Sequence, residues 1–236
     1  MPRSHVAARP RKKLRGSPRE RLLQAATEVF TSRGYAATSV REIVERAEVT
    51  KPVLYYHFTN KEGIYLALVG QLLAEFEDRL AEGREHEGSA LERVTAMCTD
   101  LFDLVLERID VVRFFYAVFY GPPQSAPFFE FQVFPRHFRA AISGALRGGF
   151  ASGELKRRPI VHVTTSVEAM LNIATEIALT EPERQFSSGD LARLISLLFE
   201  GIATKPRTIA PRSTTNRVRT RGAVNAPAPL LHLPNS

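Results

Sequence analysis

Tryptophan is absent from the 236 residues and cysteine occurs once, at Cys98. A single thiol excludes an internal disulfide framework, so the chain must hold itself together by its core, and it fits a reducing compartment. No apolar run reaches the roughly 18–20 residues of a membrane span. The basic N-terminal stretch has no apolar segment behind it, which speaks against a secretory signal. The expectation is a cytoplasmic protein without a membrane partner. The six histidines are scattered, with no His-x-x-x-His pair and no cysteine cluster, so no metal site is expected. No glycine-rich loop follows a strand, which makes Arg147-Gly148-Gly149 a turn instead of a phosphate cradle. No serine elbow and no catalytic carboxylate pair stands out. Neither an enzyme nor a bound cofactor is expected.

What is present begins with charge. The net charge of +7 hides a division. Residues 1–16 carry six Lys/Arg and no acid, and residues 204–236 again carry six and no acid. Residues 17–61 hold seven basic and five acidic residues, and residues 62–203 hold 13 and 20. The chain therefore divides into a basic arm (1–16), a mildly basic module (17–61), an acidic body (62–203) and a basic tail (204–236). The tail composition reads as unstructured. The arm is either a flexible leader or an added grip on a polyanion.

The residues predict an all-α fold. Ser17-Pro18-Arg19-Glu20 offers an N-cap, a proline in the first turn and a capping-box acid, and Leu22, Leu23, Ala26, Val29 and Phe30 follow at helical spacing. Ser39-Val40-Arg41-Glu42 is a second capping box. Thr50 is expected to cap a short third helix with Pro52 in its first turn. Thr59-Asn60-Lys61-Glu62 starts a fourth helix, to about residue 82, and Ser89-Ala90-Leu91-Glu92 a fifth. Further helices are expected near 89–108, 110–120, 128–152, 160–180 and 189–203, with breaks at Pro122, Pro123, Pro127, Pro159 and Pro182. Pro135 either kinks a long helix or marks its true start.

Residues 39–57 thus give two short helices joined by Ala47-Glu48-Val49 after a longer one, the plan of a helix-turn-helix whose second helix enters a DNA major groove. This accounts for the crowd of aromatic and polar groups in "VTKPVLYYHFTNKEGIY". Val49, Leu54 and Phe58 can face back onto the first helix. Lys51, Pro52, Val53, Tyr55, Tyr56 and His57 remain to face nucleic acid. Lys51 can donate to guanine O6/N7, and Pro52 and Val53 can touch thymine methyls. Tyrosine hydroxyls, His57 and Lys61 can reach phosphates.

The run "TSVREIVERAEVTKPVLYYHFTNKEGIYLAL" resembles the DNA-binding region of the tetracycline-repressor (TetR) family of bacterial regulators, and the resemblance covers about residues 17–75. It implies an N-terminal three-helix DNA-binding domain, a helical-bundle ligand-binding and dimerisation domain, and double-stranded operator DNA as partner. By the same resemblance Thr38, Ser39, Tyr55, His57 and Lys61 match positions that hold phosphates. Arg41, Thr50, Lys51, Pro52, Val53 and Tyr56 match positions at or near base edges. One departure is Glu48, where the family has glycine in the turn. A left-handed backbone there costs a non-glycine residue on the order of 1 kcal/mol.

In the body, residues 110–138 hold ten aromatics around a proline-rich break. Core packing is one reading and a ligand pocket the other. The pocket reading takes Phe102, Phe115, Phe119, Phe131, Phe134 and Phe138 as lining. Arg113, His137, Glu168 and Asn172 are its polar groups, with Arg139 nearby and Glu176 on the face of Glu168 and Asn172. The effector would be an unidentified small molecule, apolar or aromatic. The helices near 160–180 and 189–203 are apolar on a broad face, which suits either a homodimer seam or burial within one chain. Two functions stay open. One is a repressor released from a palindromic operator by its ligand. The other is a DNA-binding factor of the same fold without a small-molecule ligand, acting in chromosome organisation or through a protein partner.

Overall fold

The computed structural model describes residues 14–121 and 126–200. Most of the basic arm, Pro122, Pro123 and the tail lie outside these residues. Within them every regular element is helical: α1 (Pro18–Arg33), α2 (Val40–Ala47), α3 (Lys51–Phe58), α4 (Lys61–Glu85), α5 (Ala90–Glu107), α6 (Ile109–Phe119), α7 (Val133–Ser152), α8 (Ile160–Thr180) and α9 (Ser188–Glu200). None of these helices is long and apolar enough to cross a membrane.

The helix starts are set locally. Ser17, Ser39 and Ser89 each accept the backbone N–H three residues on, and Glu20, Glu42 and Glu92 each reach back to the serine N–H. Both orphan donors of each pair are satisfied at once. The capping hydrogen bonds from Ser39 and Ser89 hold the carboxyls of Glu42 and Glu92 below the usual glutamate range. α3 differs from expectation. Thr50 has the extended backbone of an N-cap, but its hydroxyl makes no capping bond and the residue is exposed. α7 begins at Val133, so Pro135 sits in its first turn, where a missing N–H costs no helical bond.

Two backbone positions shape the N-terminal head, α1–α3. Glu48 ends α2 at φ 53°, ψ 45°, the left-handed geometry for which glycine is the usual choice. Thr59 is held at φ 64°, ψ −45°, and Asn60 N–H donates to Phe58 C=O at 2.6 Å. This is a γ-turn, a strained and tight reversal. It brings α4 so close beneath the end of α3 that a Cβ on Gly63 would lie 1.9 Å from the Phe58 carbonyl oxygen, so only glycine fits there.

The apolar side chains form two cores. One joins Leu22, Phe30, Ile43, Leu54 and Phe58 of the head to Ile64, Tyr65 and Val69 of α4, and also to Phe114 and Phe115 of α6. The other joins Leu80 of α4 to α5, α7, α8 and α9 through Met97, Phe102, Ile142, Val167 and Ile195. The head's core therefore crosses residue 61 and is completed by side chains from the body. Phe114 stacks on Phe30 with ring centroids 5.2 Å apart. Burying a phenylalanine is worth about 1.5–3 kcal/mol.

Candidate nucleic-acid interface and interior cavity

α3 is short and two-sided. Leu54 and Phe58, four apart, are buried, and Val49 and Val53 are half-buried against the same core. Lys51 and Pro52 are exposed, as are Tyr55 at 51% and Tyr56 at 85%. Two large exposed aromatics on one eight-residue helix leave a face that is apolar in body and hydroxyl-bearing at its tips. His57 packs edge-on against Tyr56 with centroids 5.0 Å apart. Val53, expected to face outward, is shared between this face and the core. Arg41 of α2 is exposed and paired with Glu45 at 2.6 Å, so its guanidinium must trade that partner to meet a base. Ser39 is exposed, and its hydroxyl also donates to Glu42 Oε2 at 2.9 Å. Among the described residues Lys51 has no acidic partner.

Two residues expected at phosphates have other tasks. Thr38 is 3% exposed and its hydroxyl donates to the Gly34 carbonyl at 2.8 Å, which ties off the end of α1. Lys61 turns inward. Its Nζ donates to the carbonyls of Tyr35 at 2.9 Å and Thr38 at 2.8 Å and lies 4.1 Å from the centroid of the Tyr35 ring. Burial pulls its pKa below the usual lysine value. The ammonium bolts the start of α4 to the α1–α2 loop. Pairing to a tyrosine 26 residues away leaves no local pattern in the sequence, and so the lysine reads there as a surface charge.

The body holds a cavity of about 390 Å³ between α4, α5, α6, α7 and α8. Phe115, Phe119, Phe131, Phe134 and Phe138 line it, with Glu168 and Asn172 from α8. Three expected residues do not. Phe102 points the other way, into the second core, where it meets Phe186 edge-on at 5.9 Å. Arg113 is one turn from Asp110 and pairs with it at 3.0 Å on the outside of α6. His137 faces Glu77 of α4 at 2.9 Å, along a separate surface groove. Glu176 is exposed and gives its expected place to Thr175. Sequence reasoning missed Tyr116, Gln132 and Thr175. Thr175 was within reach, since it lies seven residues after Glu168 on the same helix face. Arg139 also lines the cavity and donates to Glu168 at 2.8 Å. Burial first, then Tyr120 and Glu176, raise the Tyr116 phenol above its usual pKa.

Rings connect the cavity to the head. Phe119 touches Phe131 at 5.9 Å, Phe131 touches Phe115 at 5.8 Å, and Phe115 touches Tyr65 at 6.2 Å. Tyr65 then meets Tyr35 at 5.4 Å, directly under Lys61. Tyr65 is fully buried, its hydroxyl has no hydrogen-bond partner among the described residues, and burial pushes its pKa up to about 12. Cys98 is buried and its thiol is likewise pushed up, so it behaves as a small apolar side chain. Among the described residues no group of three or more His, Cys, Asp or Glu could hold a metal.

The family model of the bacterial regulatory proteins of the tetR family matches residues 22–68, the span from α1 to the first turns of α4. The chain carries a TetR-family N-terminal region. The transcriptional activator FasR of Mycolicibacterium smegmatis is 36% identical over 91 residues, 39% of this chain and 42% of that protein. The chain thus matches less than half the length of such curated relatives. Solved structures extend the likeness in fold. PfmR of Thermus thermophilus, a TetR-family transcriptional regulator, aligns with TM-score 0.64 at 18% identity over 80% of this chain and 100% of its own. The transcriptional regulator FadR of Bacillus subtilis, solved in complex with stearoyl-CoA, aligns with TM-score 0.60 at 19% identity over 78% of this chain and 97% of its own.

Proposed function

We propose that this chain is a transcriptional regulator that binds a palindromic operator as a homodimer and is released when an apolar small molecule fills the cavity. The observation that carries the reading is the outward face of α3, where Lys51, Pro52, Tyr55 and Tyr56 stand exposed on a helix whose back is buried. Two such helices related by a two-fold axis would address half-sites about 34–36 Å apart. Lys51, Pro52 and Val53 at the start of α3 would read base edges with Arg41, Thr50 and Tyr56. Tyr55 and His57 would position the phosphates. A regulator of this kind works in the cytoplasm, where the DNA is.

The dimer would form through α8 and α9. Val161 and Ile173 on α8 and Leu197 on α9 are exposed apolar residues on neighbouring helices. The cavity favours a ligand-responsive regulator over a DNA-binding factor without a ligand, because its volume and aromatic walls suit an apolar molecule. FadR of Bacillus subtilis, of the same fold, holds stearoyl-CoA, which makes an acyl chain a reasonable first probe. Coupling needs an element whose position both sites bias. α4 fits, since Leu72 and Phe76 line the cavity while Lys61 grips the head.

Selection from random duplexes tests the reading, with an enriched inverted repeat as the expected result. On that site Lys51→Ala should cost about 1–3 kcal/mol and relax base preference at one position per half-site. Failure to enrich any sequence would sink operator recognition. Stearoyl-CoA or another bound acyl ligand should lower operator affinity, and operator should lower ligand affinity by the same factor.

A further inference from the structure

Among the described residues two formal charges line the cavity, Arg139 from α7 and Glu168 from α8, and they are spent on each other. Arg139 Nη1 donates to Glu168 Oε1 at 2.8 Å. Glu168 is the deeper partner, with 18% of its side chain exposed against 46% for Arg139. An anionic head group brought to Arg139 would arrive beside a carboxylate. It would either be repelled or have to displace Glu168, which would leave a half-buried charge without a partner. The remaining polar lining is uncharged. Asn172 lies one turn beyond Glu168, Thr175 follows on the same face, and Gln132 and the Tyr116 and Tyr120 phenols complete it. These groups supply both donors and acceptors to a neutral polar atom. The rest of the wall is aromatic and aliphatic.

We propose that the ligand of this cavity has an apolar body and an uncharged hydrogen-bonding group, such as an alcohol, amide, ester or thioester, and that the Arg139–Glu168 pair sets this selectivity by cancelling the cation that would attract an acid. The proposal rests on reading the cavity as an effector site. It adds the charge of the effector, which cavity size and apolarity leave open. Glu168 acts here as a specificity-determining residue. It keeps Arg139 occupied and adds negative charge beside the ligand.

The test is calorimetric titration of the full-length protein with 1-decanol, decanamide and decanoate at about pH 8, where the acid is ionised. The three probes share an apolar body and differ in the head group. Wild-type protein should bind the two neutral probes at least about tenfold tighter than decanoate. Glu168→Gln should strengthen decanoate binding by about tenfold or more and leave decanol within about threefold. Adding Arg139→Met to that variant should abolish the gain, which shows that the released guanidinium is its source. Thermal melts of all three proteins check that each is folded. The single variant Arg139→Met serves if Glu168→Gln does not fold, and it should weaken decanoate further without loss of decanol. Decanoate binding as tightly as decanol to wild type, or no response of decanoate to either substitution, would overturn the proposal while the cavity reading stands. Binding of none of the probes would overturn both.

Discussion

Aromatic side chains do opposite work at the two ends of this molecule. In the head, Tyr55 and Tyr56 stand in solvent on α3, and the helix is too short and too near the surface for anything to cover them. In the body, Phe102, Phe114 and Phe138 are buried by helices that arrive from distant parts of the chain. Phe115, Phe119, Phe131 and Phe134 fall between, around a cavity that their rings do not fill. The difference lies in the neighbours, since the residue types are alike. The head's exposed rings are explained by what they could touch outside the chain. The body's rings are explained by how completely helices close over them.

The comparison also shows where the two regions are not separate. Phe114 and Phe115 belong to α6 of the body but complete the head's core. Phe114→Ala should therefore cost about 3–5 kcal/mol in chemical denaturation and destabilise the head as well as α6. A head that keeps its amide-exchange protection in this variant would show two independent units.

A smaller effect separates structural from DNA-facing charge. Lys61→Met should lower stability by about 1–3 kcal/mol, because the Tyr35 and Thr38 carbonyls lose their donor in a partly buried site. The salt dependence of binding to a nonspecific duplex should stay as in wild type. A slope flatter by about one charge per subunit would restore Lys61 to the phosphates.

Tyr65 lies between the regions and tests whether its hydroxyl is a cost. Tyr65→Phe removes a buried hydroxyl that has no partner among the described residues, and should raise stability by about 1–2 kcal/mol. A loss of stability would show that the hydroxyl is satisfied in solution. Glu48→Gly is the mildest change. It relieves a left-handed glutamate and should stabilise the head by up to about 1 kcal/mol, seen as a higher denaturation midpoint. No change, or a loss, would mean that the turn relaxes around glutamate.

The helix starts were legible because a capping box is a contact between residues three apart. Ser17 with Glu20, Ser39 with Glu42 and Ser89 with Glu92 carry their partners with them wherever the helix goes. The two-sidedness of α3 was legible for the same reason, since helical period acts within a few residues, whereas the left-handed turn at Glu48 was legible only through the resemblance to a family that has glycine there. Other features were decided only in three dimensions. Lys61 looked like a phosphate ligand until Tyr35 and Thr38, 26 and 23 residues earlier, supplied its acceptors. Phe102 and Phe119 are the same residue on neighbouring helices, yet one is core and the other lines the cavity. Arg113 and His137 were candidates until Asp110 and Glu77 took them outside, while Arg139 found Glu168 at the cavity. Local contacts are written in sequence spacing. A cavity is the space left when five helices meet, and the choice of which side chain closes it or pairs across it belongs to that meeting.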